Sequence, residues 1–167
     1  MKLRNLLLVV AIALSCVGCD RVTKDMARER LAPGVREALL GDLFRLQYEE
    51  NHGGMLSLGS ELAPSTRFLL FTVSVGTLLA ILLLYATLSR SMPSQERGAI
   101  ALVAGGGIGN LIDRLAYNGA VIDFLNVGIG GLRTAIFNIA DVAVFLGAAM
   151  LIIRVLGRMA RQQTEEP

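Results

Sequence analysis

Long apolar runs with few charges decide what this chain can become. Residues 68–88, 99–115 and 136–156 are each long enough, at about 1.5 Å of helical rise per residue, to serve as crossings of a hydrocarbon core about 30 Å thick. A fourth run, residues 6–19, is shorter. Of the 167 residues, 53% are hydrophobic and only 18% charged, and the mean hydropathy of +0.57 excludes an ordinary soluble domain. The formal charge is +2, and the basic residues are scattered rather than gathered into a stripe that could track phosphates, so nucleic acid is not an expected partner. Cys16 and Cys19, three residues apart on one helix face, cannot staple distant parts of the chain.

The first run raises a question of its own. "IALSCVGCDRVTK" (residues 12–24) leads small residues into a cysteine, as the end of a bacterial lipoprotein signal does. Its length also suits the apolar region of a signal peptide, about 7–15 residues. A lipoprotein cleavage box usually has Leu three positions before the cysteine. Before Cys19 that position holds Cys16, and before Cys16 it holds Ala13. Val22 and Met26, with Asp20 and Lys24 one turn apart, carry the helix on into the interfacial zone, where a lysine can snorkel to the headgroups. The segment is read as a retained first helix.

The expectation is a mainly α, integral membrane fold: one domain over residues 1–167, with helices at about 6–26, 68–88, 98–115 and 136–156. Two outer segments, about 27–66 and 116–135, share one side of the membrane. Lys2, Arg4, Arg90, Arg97, Arg154, Arg158 and Arg161 flank the other side, against Arg28, Arg30, Arg36 and Arg45 in the long outer segment, which puts both termini in the cytoplasm. "LFRLQYEE" (residues 43–50) alternates as a half-buried strand and "NHGG" follows it with turn residues, so a small outer sheet is expected.

Polar residues stand where a membrane makes them expensive. A carboxylate at the centre of a membrane helix costs about 2.5–3.5 kcal/mol on insertion scales, and Asp141 is expected a turn and a half inside the fourth span. Asn138 shares its face. Asn110, Asp113 and Arg114 lie within one turn at the end of the third span, and the connecting loop carries Asp123 in "GAVIDFLN". Two carboxylates at one boundary, with no metal-ligand pattern beside them, suggest acid/base chemistry on water: a pair that cannot easily ionise twice shares a proton. The bland alternative is an intramembrane Asp paired with Arg114 to hold helices together, and Asp113 and Arg114 are expected to include such pairing.

Taken together, "CDRVTK", "NHGG", "GGGIGNLIDRL", "GAVIDF" and "FNIAD" resemble, in order and spacing and over essentially the whole chain, the motifs of lipoprotein signal peptidase, also called signal peptidase II or aspartic peptidase family A8. The resemblance implies a four-helix inner-membrane aspartic endopeptidase that cuts diacylglyceryl-modified prolipoproteins on the amino side of the lipidated cysteine, without cofactor or metal. It implies Asp123 and Asp141 as the catalytic dyad. Asn51, Gly54, Asn110, Arg114 and Asn138 would bind or position substrate, and Asp20 and Lys24 would be structural residues of the first motif. Membrane lipid and inhibitors of the globomycin type are the other implied partners. In "NHGGMLSL" the family commonly has Ala and Phe near the positions of Gly54 and Leu56.

Other features read more plainly. In residues 105–109, "GGGIG", a dinucleotide fingerprint would need glycine at 110, where Asn110 stands. Gly105 and Gly109 form a GxxxG pair, so close helix packing is expected. His52 reads as a solvated turn residue, Ser57, Ser60 and Ser65 lack a general base, and the tail "RMARQQTEEP" reads as a solvated cytoplasmic end. Two rival functions follow from the same residues: a small proton- or ion-translocating protein using Asp123, Asp141 and Arg114, and a four-helix scaffold in which the polar residues only lock packing.

Overall fold

The computed structural model describes residues 3–31 and 34–165. Lys2, one of the flanking basic residues, and the last two residues of the tail lie outside them. Four helices, long and apolar enough to cross a membrane, form a bundle: α1 (Leu3–Arg30), α2 (Pro64–Leu88), α3 (Ser94–Ala116) and α4 (Ile139–Glu165). Between α1 and α2 lie β1 (Arg36–Leu39) and β2 (Phe44–Asn51), and between α3 and α4 lie β3 (Val121–Ile129) and β4 (Leu132–Arg133). The strands form one antiparallel sheet in the order β1-β2-β3-β4. The expected mainly α membrane fold with a small sheet is therefore what the chain adopts, and large side chains such as Leu78, Phe145 and Ile153 remain exposed on the helix surfaces, as a lipid solvent requires.

Helix α3 is the centre of the bundle, packing on α1, α2 and α4. Its glycines make that possible by letting a different neighbour approach at each step. A β-carbon at Gly105 would lie 2.8 Å from the Cys16 Cβ of α1, one at Gly106 2.3 Å from the Ala140 carbonyl of α4, and one at Gly107 2.6 Å from Leu79 of α2. The expected small-residue packing thus serves three interfaces rather than one.

The helices run past the sequence-based limits. The tail continues α4 instead of leaving it, and Arg154 and Arg158 pair there with Glu96 of α3. Arg97, expected as a membrane-flanking charge, turns inward and is fully buried: its guanidinium donates to the Ala86 and Ser89 carbonyls, which α2 leaves unpaired at its C-terminus. At the opposite end of the bundle, Ala27 of α1 and Leu31 just beyond it pack with Phe124 of β3 and with Leu46, Tyr48, Leu125 and Ile139. This apolar seat fixes the sheet where α1 finishes and α4 begins.

Gly106→Val is expected to destabilise the detergent-solubilised protein by about 1–3 kcal/mol through overpacking against α4. Gly157→Ala, where an added β-carbon meets nothing, is expected to leave the Tm unchanged or slightly raised. Thermal unfolding of the two variants beside the unaltered chain checks both outcomes.

Candidate active site

The site begins with the problem of starting helix α4. A helix N-terminus leaves backbone N–H groups without intrahelical partners. Here Asn138 and Asp141 close a reciprocal capping box: the Asp141 N–H donates to Asn138 Oδ1 at 2.9 Å, and the Asn138 N–H donates to Asp141 Oδ2 at 3.1 Å. The Ala140 N–H donates to Asp20 Oδ1 of α1 at 3.0 Å. Asp141 therefore stands in the first turn of α4, not a turn and a half inside it. The helix cannot start at residue 136, because the backbone of Phe137 is paired with Leu125 of β3.

Asp123 lies on a strand rather than in a loop. Residues 121–124 are all buried, so β3 shows no alternation that would mark it as a strand. Pairing with β2 sets Asp123 opposite Glu49 and Val121 opposite Asn51. The neighbouring Ile122 N–H donates to Asp113 Oδ2 of α3 at 3.1 Å, which fixes the strand against the helix. Asn51 Nδ2 donates to Asp123 Oδ2 at 3.1 Å, and Asn138 Nδ2 donates to its Oδ1 at 2.7 Å. Burial first, and then the charge of Asp141, push the Asp123 carboxyl up to about 7, against the opposing pull of the two amide donors.

Asn110 Nδ2 donates to Asp141 Oδ1 at 2.9 Å, and Asn138 Nδ2 lies 3.1 Å from Asn110 Oδ1. Asp123, Asp141, Asn51, Asn110 and Asn138 thus form one connected network drawn from α3, α4 and the sheet. Gly54 joins it only at one remove, its carbonyl accepting from Asn51 Nδ2 at 3.2 Å. Arg114 donates to the Gly53 carbonyl at 2.9 Å and lies over the Phe71 ring at 5.7 Å, with Asp123 and Asp141 in its electrostatic neighbourhood. A cleft lined by Arg67, Phe68, Thr72, Arg114, Leu115 and Asn118 opens beside it. His52 of the same loop is half-buried, its Nδ1 enclosed, in contrast to the expected solvated turn residue.

The expected pairing of Asp113 with Arg114 is not formed. Asp113 is fully buried and takes Arg21 on Oδ1 and Lys24 on Oδ2, the latter at 2.8 Å. Adjacent residues on a helix point about 100° apart, so Asp113 faces α1 while Arg114 faces the loop after β2. Lys24 also forms an ion pair with Asp20 Oδ2 at 2.8 Å, and both residues are fully buried. Sequence reasoning missed Arg21 and the placing role of Asp113. The one available signal was Arg21 in "CDRVTK", a cation of the segment that already holds Asp20 and Lys24.

Asn138→Ala removes a helix cap, the side-chain oxygen that accepts the Asp141 N–H, together with the side-chain amide that donates to the Asp123 carboxylate. The expected stability loss is about 1–2 kcal/mol, with most of the change in the first turn of α4. Amide hydrogen exchange at residues 139–142 in detergent would register it as lost protection.

The chain was compared with known proteins. Residues 12–157 match the family model for signal peptidase (SPase) II. A lipoprotein signal peptidase of Pelodictyon phaeoclathratiforme is 39% identical over 155 residues, covering 87% of this chain and 88% of the relative. That of Gloeobacter violaceus is 34% identical over 164 residues, covering 93% and 90%. A solved structure, described as a bacterial membrane enzyme determined by the in meso method at 2.3 Å, superposes with a TM-score of 0.81 at 26% identity, covering 95% of this chain and 93% of that one. With 95% of the chain superposing at that level and the family model matching residues 12–157, this chain is a multi-pass membrane peptidase that belongs to the signal peptidase II family.

Proposed function

We propose that this chain is an aspartic endopeptidase that removes signal peptides from diacylglyceryl-modified prolipoproteins, cutting on the amino side of the lipidated cysteine, with Asp123 and Asp141 as its dyad. The observation that carries the reading is the single amide network in which Asn138 bonds the side chain of Asp123 and the backbone of Asp141, while Asn110 bonds Asp141 from the other side. Asp123 holds the shared proton, and Asp141 serves as the base.

Hydrolysis then balances in two steps. Asp141 takes a proton from water as its oxygen adds to the scissile carbonyl carbon, and Asp123 gives its proton to the carbonyl oxygen. The resulting diol collapses: a hydroxyl proton returns to Asp123, Asp141 protonates the departing amine nitrogen, and the carbon–nitrogen bond breaks. Asn51, Gly54 and Arg114, with Arg114 tied to the loop through Gly53, would hold the substrate backbone over the dyad. Asn110 and Asn138 would keep the two carboxylates in place. Asp20 and Lys24 brace the site from α1.

The single unit spans residues 1–167 in a bacterial inner membrane with both termini cytoplasmic. Support comes from Arg4, Arg90, Arg154 and Arg158, which the chain direction places at the end of the bundle opposite the dyad. The dyad would face the periplasm, where the lipidated cysteine lies at the membrane surface among lipids. A globomycin-type cyclic peptide would occupy the dyad and compete with substrate.

The testing experiment is a gel-shift cleavage assay in detergent on a diacylglyceryl-modified prolipoprotein. Asp123→Asn and Asp141→Asn, shown to be folded, are each expected to lose at least roughly a thousand-fold in turnover. No cleavage by the folded unaltered chain on several lipidated substrates would overturn the assignment. Globomycin at saturation is expected to abolish cleavage.

Stability should also depend on pH in a defined direction. The Asp123 carboxyl titrates near 7 in the folded chain against an ordinary 3.8, so between those values the folded state binds more protons than the unfolded one. Its contribution is present in acid and is lost as pH rises through about 7. The Tm is expected to fall over that window in the unaltered chain and to fall less in Asp123→Asn. Turnover is expected to decline over the same alkaline limb, as the shared proton is lost.

A further inference from the structure

The two hairpins of the sheet end side by side. The turn between β1 and β2, residues 40–43, meets the end of β3 and its turn into β4: the Gly128 N–H donates to the Leu43 carbonyl at 2.9 Å, and Phe44 stands opposite Val127. Leu39, Leu40, Leu43, Ile129 and Leu132 crown this double tip, and Leu40, Ile129 and Leu132 are 79%, 79% and 86% exposed. Leu40 has φ 51°, in the left-handed region where a hairpin turn ordinarily places Gly, Asn or Asp. The fold itself gains nothing from a strained turn that displays a large aliphatic side chain.

Behind the aliphatic layer, polar groups satisfy one another. Arg133 donates to the carbonyls of Asp42 at 2.9 Å, Gly128 at 3.3 Å and Leu43 at 3.4 Å, and also to Asn126 Oδ1. Asn126 Nδ2 donates to the Thr134 carbonyl at 2.6 Å, and the Thr134 hydroxyl accepts the Val127 N–H at 3.0 Å. Turns bathed in water need no such closure, whereas backbone groups that approach lipid do. Asp42 pairs with Arg45 at 2.6 Å and with Arg133 at 3.6 Å, so these three groups carry one net positive charge just behind the tip.

We propose that the double tip is a membrane wedge: its five aliphatic side chains enter the lipid leaflet on the side of the sheet, and Arg45 and Arg133 meet the phosphates of the headgroups. Three observations select lipid over a protein partner. The tip is made of projecting turns with aliphatic side chains only, whereas protein interfaces draw their binding energy from aromatic and arginine side chains seated in pockets. Its layering, aliphatic in front and cationic behind, follows the order of acyl chain and phosphate in a leaflet. The tip is also within reach of that leaflet. Arg133 stands six positions before Ile139, which begins a membrane helix, so that helix end is at most about 20 Å away.

On this proposal the sheet lies along the lipid surface instead of standing away from it. Ile129 is six positions from Asp123 on β3, about 20 Å along the strand, so β3 is held by the bundle at one end and by lipid at the other. The wedge is independent of the reaction performed at the site.

The chain contains no tryptophan, so a single introduced one reports only its own surroundings. Leu40→Trp, Ile129→Trp and Leu132→Trp are made in the full chain, checked for fold by thermal unfolding in detergent, and reconstituted into vesicles of phosphatidylcholine and phosphatidylglycerol. Each tryptophan is expected to shift its emission to the blue and to resist quenching by aqueous acrylamide. Phosphatidylcholine brominated on its acyl chains is expected to quench it, most strongly with bromine near the headgroup end, as a depth of about 5–10 Å requires. Tryptophan itself favours the membrane interface, so Leu40→Trp is repeated together with Ile129→Ser/Leu132→Ser, which is expected to remove at least about half of the lipid quenching.

Tryptophans quenched by acrylamide and untouched by brominated lipid would place the tip in water and overturn the proposal. Tryptophans shielded from both quenchers, with shielding that falls as lipid is added at constant protein, would show contact between copies of the chain and overturn it equally. Lipid quenching of Leu40→Trp that the two serines leave unchanged also overturns it, because the aliphatic set would then not be what enters the membrane.

Discussion

An unpaired ammonium buried in a membrane bundle costs several kcal/mol, and it is held there only where opposite charges and a polar acceptor surround it. Lys24 is held by ion pairs with Asp20 and Asp113 and by a hydrogen bond to the Asn110 side chain, and the architecture near the site follows from where these partners stand. Asp20 belongs to the same helix, but its other oxygen reaches across to start α4. Asp113 belongs to α3, and the oxygen that takes Lys24 also takes the backbone of β3. One cation thereby registers two helices and a strand against a third helix. Side chains that would each be costly alone become a set in which each satisfies the next.

The glycines of α3 are the steric counterpart of that electrostatic arrangement. Asp20 can lie between α1 and α3 only because position 109 lacks a β-carbon, which would fall 2.6 Å from the carboxylate. Helix α2 contributes differently. Its first turns open into a π-helical segment, Phe68–Ser74, which carries Phe71 beneath the loop after β2 and beside the Arg114 guanidinium. The loop that follows Asn51 is thus supported from below by an aromatic ring and tied from the side by an arginine.

The parts legible in the sequence were those governed by local pattern. Apolar runs announced four helices, because lipid demands length and hydrophobicity residue by residue. Alternation of apolar and polar residues announced β2, although Phe44 to Tyr48 are all half-buried in the structure. Strand β3 escaped because it is buried on both faces where it matters, so that Val121 to Phe124 look like any apolar stretch. The start of α4 was misplaced for a related reason: Phe137 is claimed by the sheet, a contact no local window contains. Pairings of Asp113 and Arg97 were equally hidden. Proximity in the chain suggested Arg114 and the membrane surface, whereas the acceptors and donors that won come from α1 and from the end of α2. The proposed dyad was read from a resemblance and from the expense of carboxylates in such places, and spacing alone could not have separated it from a structural ion pair.

Asp141 has two occupations at once, as the residue that closes the first turn of α4 and as a proposed acceptor of protons from water. Whenever it takes a proton, its oxygen becomes a poorer acceptor for the Asn138 N–H, and the knot that begins the helix slackens for that instant. Each turnover would therefore tug at a segment that leads along α4 to the opposite membrane surface. On that proposal the grip of the helix end would become a running record of the chemistry beside it, tightening and easing once per bond cut.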